Sequence, residues 1–190
     1  MYVFFDTETS DLPRNFNAPE TDVRNWPHLV QIAWVVGESL DTVSEPEVHL
    51  FKPDGFRIFQ GAFAVHGISN QFAQANGVPL QPVLNRFVEV VNDATTVVAH
   101  NLSFDMNIIG AACARAGIPN PIRGKKTRCT MQESTSYCRL PSRRRGYKWP
   151  TLTELHRKLF DSEFGNAHDA AEDTVACMKC FFRLQELKVM

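Results

Sequence analysis

Hydrophobic residues fall into short runs separated by polar, Pro- and Gly-bearing stretches, and these runs predict alternating strands and helices. Val3-Phe4-Phe5 is β-branched and aromatic, bounded by polar residues and too short for a helix, so it reads as a buried strand. The segment 10–28, rich in Pro, Asn and Asp, reads as a loop. A second strand covers 29–36 and ends at Gly37, and a third covers 48–51 between Pro46 and Pro53. Short connections between these three predict an antiparallel meander.

Farther along, 61–67 leads to Ser69, placed to cap a short helix through Gln74, and 84–91 is helical in pattern after Pro82. A fourth strand at 95–100 runs into a helix over 101–116 that stops at Gly117-Ile118-Pro119, a strand–helix unit of the kind that builds parallel pairing. A short fifth strand at 126–130 and a helical turn to Cys138 precede a basic loop at 141–150. Thr151-Leu152-Thr153-Glu154 has capping-box spacing and opens a helix ending near Phe160, and the last helix spans about 169–187. The expectation is one α/β domain over residues 1–190 whose sheet mixes both pairing directions.

Four acids interrupt this apolar pattern. Alternation along the first strand puts Phe4, Asp6 and Glu8 on one face, with neighbours roughly 7 Å apart, so two carboxylates leave the core side by side. A lone Asp-x-Glu is more often polar punctuation before a loop. Asp105, however, stands in the apolar stripe Leu102, Asp105, Ile109, Ala112, Ala116, and Asp173 in the stripe Ala170, Asp173, Cys177, Phe181, Leu184. Either aspartate alone could be explained by its helix N-terminus. Together with the strand pair they point to a common destination, where a cation-rich partner, a shared proton or a divalent metal must offset the charge. Oxygen-only ligands select Mg²⁺ or Mn²⁺ over zinc, and two such ions about 4 Å apart suit phosphoryl displacement. His168, five residues before Asp173, is placed to act as a general base.

Composition adds a partner. Net charge is −1, yet nine of the 20 Lys and Arg lie in 123–148 against one acid, Glu133, a local charge of +8 that includes Arg143, Arg144 and Arg145. Such a field attracts a polyanion, here nucleic acid. Five cysteines, an odd number, suggest reduced thiols and a cytoplasmic setting, and Cys177-x-x-Cys180 reads as a packed helix face rather than a metal pair. No apolar run approaches a membrane span, and the opening strand does not resemble a signal peptide, so no membrane partner is expected.

Three motifs carry a resemblance to a known family. Phe5-Asp6-Thr7-Glu8-Thr9, His100-Asn101-Leu102-Ser103-Phe104-Asp105 and His168-Asp169-Ala170-Ala171-Glu172-Asp173 resemble, in order, those of the DnaQ-like 3′→5′ exonucleases of the DEDDh branch, which include the proofreading subunit of bacterial DNA polymerase III. The resemblance implies a ribonuclease H-like fold, a mixed five-stranded sheet flanked by helices. It also implies two bound divalent cations held by Asp6, Glu8 and Asp173, with Asp105 supporting the second, and His168 deprotonating the attacking water. Thr7, Thr9, Asn101 and Phe104 would lie at the substrate. Val65-His66-Gly67-Ile68 resembles the family segment that approaches the terminal nucleotide, with Ile68 near the last base and a structural role for His66 about equally expected. One departure is Thr9-Ser10-Asp11, where the family usually reads Thr-Thr-Gly, so the loop cradling the 3′ end is expected to differ in shape.

The function expected is thus release of nucleoside 5′-monophosphates from the 3′ end of DNA, single-stranded ends foremost. RNA trimming is the closest alternative, and a non-catalytic nucleic-acid or polymerase-binding module a more distant one, since none of the five motif positions is lost. A DNA polymerase is a candidate partner, although the chain ends close after its last helix and leans towards a free-standing enzyme.

Overall fold

A computed structural model describes residues 1–143, 145–165 and 168–190. Among them five strands form one sheet: β1 (Tyr2–Thr9), β2 (Leu29–Gly37), β3 (Glu47–Leu50), β4 (Thr96–Ala99) and β5 (Lys126–Cys129), in the order β3-β2-β1-β4-β5. β1 pairs antiparallel with β2, and β2 with β3, as the short connections predict. β4 pairs parallel with both β1 and β5. The crossover α4 (Leu102–Ala116) that follows β4 is what makes a parallel neighbour reachable.

Layering follows the two-residue alternation of β1. Val3 and Phe5 face one side, where Ile32 and Trp34 of β2 meet Leu84, Phe87 and Val91 of α3 (Leu80–Asp93) and Ile108, Ile109 and Ala112 of α4. Phe4 faces the other side, with Val35 and Val98, and packs on Cys177, Met178 and Phe181 of α8 (Ala170–Glu186). Tyr2, Phe4, Phe181 and Phe182 make edge and tilted ring contacts at 5.0–6.0 Å between centroids. Cys177 and Cys180 are buried free thiols, Cys177 on this face and Cys180 packed with Cys138, Leu155 and Leu184, in agreement with a packing role.

Several boundaries shift from the sequence expectation. β1 continues past the apolar run to Thr9, because β2 stays paired opposite Asp6, Thr7 and Glu8. Residues read as a lead-in instead form α1 (Gln60–His66), which buries none of its side chains and so has no apolar stripe to betray it. α2 (Asn70–Asn76) is capped by Ser69, whose side chain accepts from the Phe72 amide, as expected. α5 (Thr130–Glu133) and α6 (Thr135–Cys138) make up the predicted helical turn. α7 (Leu152–Phe160) opens on a complete Thr151/Glu154 capping box. No helix among the described residues is long and apolar enough to cross a membrane.

Candidate active site

Parallel strands β1 and β4 end at the same edge of the sheet, and the carboxylates gather there, where helices that follow such strands begin. Asp6 and Glu8 project from β1 on the α8 side, and Asp173 sits in the first turn of α8 facing them. Asp105 comes from the opposite helix layer, in the first turn of α4, and is 3% exposed. Thr7, pointing to that second layer, donates its hydroxyl to Asp105 Oδ1 at 2.6 Å. The sheet edge thus receives acids from both faces. All four, with His168, line a single cleft of about 480 Å³.

Charge is the organising problem of this cleft. Burial, then the carboxylates of Asp105, Glu8 and Asp173, hold Asp6 well above the usual carboxylate range. Burial followed by Asp173 and Asp105 pushes Glu8 up to about 8. Burial raises Asp105 to about 7 against the opposing hydrogen bond from Thr7. Asp173 rises to about 6, chiefly through burial, although the His168 amide donates to its Oδ2 at 3.0 Å. None of the described residues lining the cleft is lysine or arginine. Four oxygen-rich side chains that cannot all ionise, with no lysine or arginine among the described lining residues, are a donor set that fits divalent metal. Single ligand atoms of Glu8, His168 and Asp173 already lie within 4.8 Å of one another.

The three histidines near the cleft differ in what their nitrogens can do. His168 is exposed, its backbone in the left-handed region at φ 71°, and its amide is tied to Asp173. His66 Nδ1 accepts from the Ile68 amide at 3.0 Å, so the neutral ring carries its proton on Nε2, 3.2 Å from the Thr9 carbonyl. Burial lowers its pKa, and the ring staples α1 to the end of β1. His100 is pushed down to about 4 by burial; its Nε2 donates to the Pro150 carbonyl at 3.1 Å and its Nδ1 accepts from Thr130 Oγ1 at 2.9 Å. It joins the start of α4 to the segment entering α7.

Other expected substrate contacts divide. Asn101, at φ 65° before α4, and Phe104 line the cleft. Thr7 and Thr9 also border it, but their hydroxyls are committed, Thr7 to Asp105 and Thr9 to the Asp11 carbonyl at 2.7 Å. Ile68 is a correction: it is 8% exposed, packed with Val30, Ile58 and Ala73, and does not line the cleft. Gly67, at φ 72°, turns the chain at the end of α1 so that Ile68 enters the core, leaving Val65, 53% exposed, as the apolar residue facing the opening. Arg143 and Arg145 are exposed and do not line the cleft, and Arg144 lies outside the described residues.

The glycine-free turn after Glu8 needs no left-handed residue, since neither Ser10 nor Asp11 has positive φ. Ser10 is buried and its hydroxyl accepts from the His28 amide at 3.0 Å. Sequence reasoning missed Leu12 and Phe16, exposed apolar residues on the lip of the cleft. The signal for them was there: bulky apolar side chains stranded in a polar loop with no periodicity to bury them.

A mixed sheet of this order, with acids converging at its parallel strand ends, is the ribonuclease H-like fold of exonucleases. The model of the exonuclease family RNase_T matches residues 3–181, and the chain belongs to that family. Solved structures agree on the fold. Exonuclease I is 21% identical with a TM-score of 0.78 over 99% of this chain and 42% of that chain. The zinc-bound exonuclease I–ssDNA complex from E. coli is 22% identical with a TM-score of 0.75, covering 98% of this chain and 40% of that one. A product-bound exonuclease I is 20% identical with a TM-score of 0.75, covering 99% and 44%. The chain therefore spans less than half the length of those proteins. No curated protein sequence matches it.

Proposed function

We propose that residues 1–190 form one domain that removes nucleoside 5′-monophosphates from the 3′ end of DNA, acting foremost on single-stranded ends. The observation that carries this reading is the convergence of Asp6, Glu8, Asp105, Asp173 and His168 on one cleft free of lysine and arginine among its described lining residues. Family membership supports nucleic acid as substrate and divalent metal as cofactor. DNA is favoured because E. coli exonuclease I, which shares the fold, has been captured with ssDNA and with a dT13 oligonucleotide.

In this reading Asp6, Glu8 and Asp173 would hold a pair of Mg²⁺ or Mn²⁺ ions, with Asp105 in support of the second. When bound, the ions offset the carboxylates and the phosphodiester charge. His168 takes a proton from the attacking water, a new P–O bond forms, and the bond from phosphorus to the 3′ oxygen breaks as that oxygen takes up a proton from solvent water. The products are a 5′-monophosphate and a chain with a fresh 3′-hydroxyl. Its exposure at the mouth of the cleft leaves the imidazole free to pass that proton to solvent. Thr7 keeps the Asp105 carboxylate oriented, and His66 holds α1 against the end of β1.

Degradation of matched DNA and RNA oligonucleotides, compared at one salt concentration, tests the substrate assignment. Faster turnover of DNA is expected, whereas a preference for RNA would replace it by the trimming alternative. His168→Ala is expected to slow the reaction by about 10²- to 10⁴-fold while metal binding persists.

A further inference from the structure

The basic segment that precedes α7 has a property that charge alone does not account for. Residues 140–141 and 147–148 pair as the arms of a small hairpin: Pro141 and Tyr147 form an antiparallel bridge, and the Lys148 amide donates to the Leu140 carbonyl at 3.1 Å. Tyr147, on its second arm, is 49% exposed and Trp149, just after it, 59%, and among the described residues neither ring packs against another aromatic ring. The chain's other tryptophans, Trp26 and Trp34, are 3% and 0% exposed. Large aromatic rings left in water on a polar hairpin do nothing for the core.

Their neighbours are cationic. Arg143 and Arg145 are exposed and, among the described residues, form no salt bridge, while Lys148 is paired with Glu154 at 2.6 Å. The hairpin is also attached to the active site. Pro150, directly after Trp149 and about 3.8 Å away along the chain, is buried and accepts the hydrogen bond from His100, a residue of the cleft wall. Exposed rings interleaved with unpaired guanidinium groups are what a flexible polyanion with π-faces requires. Bases stack on the rings and phosphates meet the cations, without selection for sequence.

We propose that Trp149 and Tyr147, with Arg143 and Arg145, form a second binding surface for single-stranded nucleic acid, holding the strand upstream of the end that occupies the cleft. This rests on the exonuclease reading and extends it. The surface acts on affinity for strands long enough to reach it, and a duplex, whose bases are already stacked, gains nothing from the rings.

Because Trp26 and Trp34 are buried, the change in intrinsic fluorescence when a strand stacks on the surface reports mainly on Trp149. Full-length protein is titrated with an oligo-dT of about 12 nucleotides in EDTA, following tryptophan emission and the anisotropy of a label on the oligonucleotide in parallel. Quenching that saturates together with the anisotropy, and a roughly tenfold weaker Kd for Trp149→Ala that Trp149→Phe largely restores, are expected. Anisotropy rising with no change in emission would overturn the second surface while leaving the exonuclease reading intact. Equal quenching by poly-glutamate would also overturn it, by showing that charge suffices without bases. Absence of both binding and turnover would overturn the two readings together.

Discussion

At the scale of single residues, the site depends on how Asp105 is held. It is buried and shares its neighbourhood with three other acids, and its partner Thr7 belongs to the strand that also supplies Asp6 and Glu8. Thr7→Val keeps the shape and removes the donor, so the Asp105 pKa rises and its carboxylate loses orientation. A loss of about 10- to 100-fold in Mn²⁺ affinity is expected, as for other groups that orient a metal-binding carboxylate. Calorimetric titration checks it, and affinity equal to wild type would count against Asp105 as a supporting ligand. The acids themselves were legible in the sequence because each breaks an apolar row. The role of Thr7 was not: alternation predicts its direction, but the helix it would meet depends on how β4 and α4 pack.

At the scale of elements, α8 ties the acid cluster to the core. Asp173, Cys177 and Phe181 recur at helical spacing, so the face that packs on Phe4 and Tyr2 is continuous with the face that carries the acid. Phe181→Ala empties a fully buried position and is expected to cost about 3–5 kcal/mol in urea unfolding, with Phe181→Leu markedly milder. The spacing made this helix, α4 and α7 readable, and their ends fell within a residue or two of prediction. α1 escaped because a short surface helix that buries nothing leaves no hydrophobic period. Ile68 was misplaced for a related reason: the left-handed turn at Gly67 reverses which side chains of that segment face the cleft.

At the scale of the whole molecule, the cleft works against folding when it holds no metal. Ordinary carboxyls release their protons near pH 4, whereas in the folded chain Glu8 keeps its proton to about 8, Asp105 to about 7 and Asp173 to about 6. Between those limits the folded state binds more protons than the unfolded state, so stability must fall as pH rises from about 5 to 8. In EDTA the melting temperature is expected to drop by several degrees across that range. Mg²⁺ or Mn²⁺ should recover it at pH 8, and Glu8→Gln should raise it without metal. A flat profile would mean that the acids do not crowd one another. The mixed sheet was legible from connection lengths, antiparallel where they are short and parallel across a helix. That its two helix layers each deliver acid to one edge follows only from the assembled topology.

The central claim is that these carboxylates, joined at the ends of β1 and β4, support metal-dependent removal of nucleotides from a 3′ end. Its most direct measurement is a time course on a 5′-labelled single-stranded DNA oligonucleotide with Mg²⁺, run beside EDTA and Asp173→Ala controls. A ladder shortening stepwise from the 3′ end, absent from both controls, is the predicted result. Failure to shorten in either Mg²⁺ or Mn²⁺, or an unchanged ladder with Asp173→Ala, would contradict it.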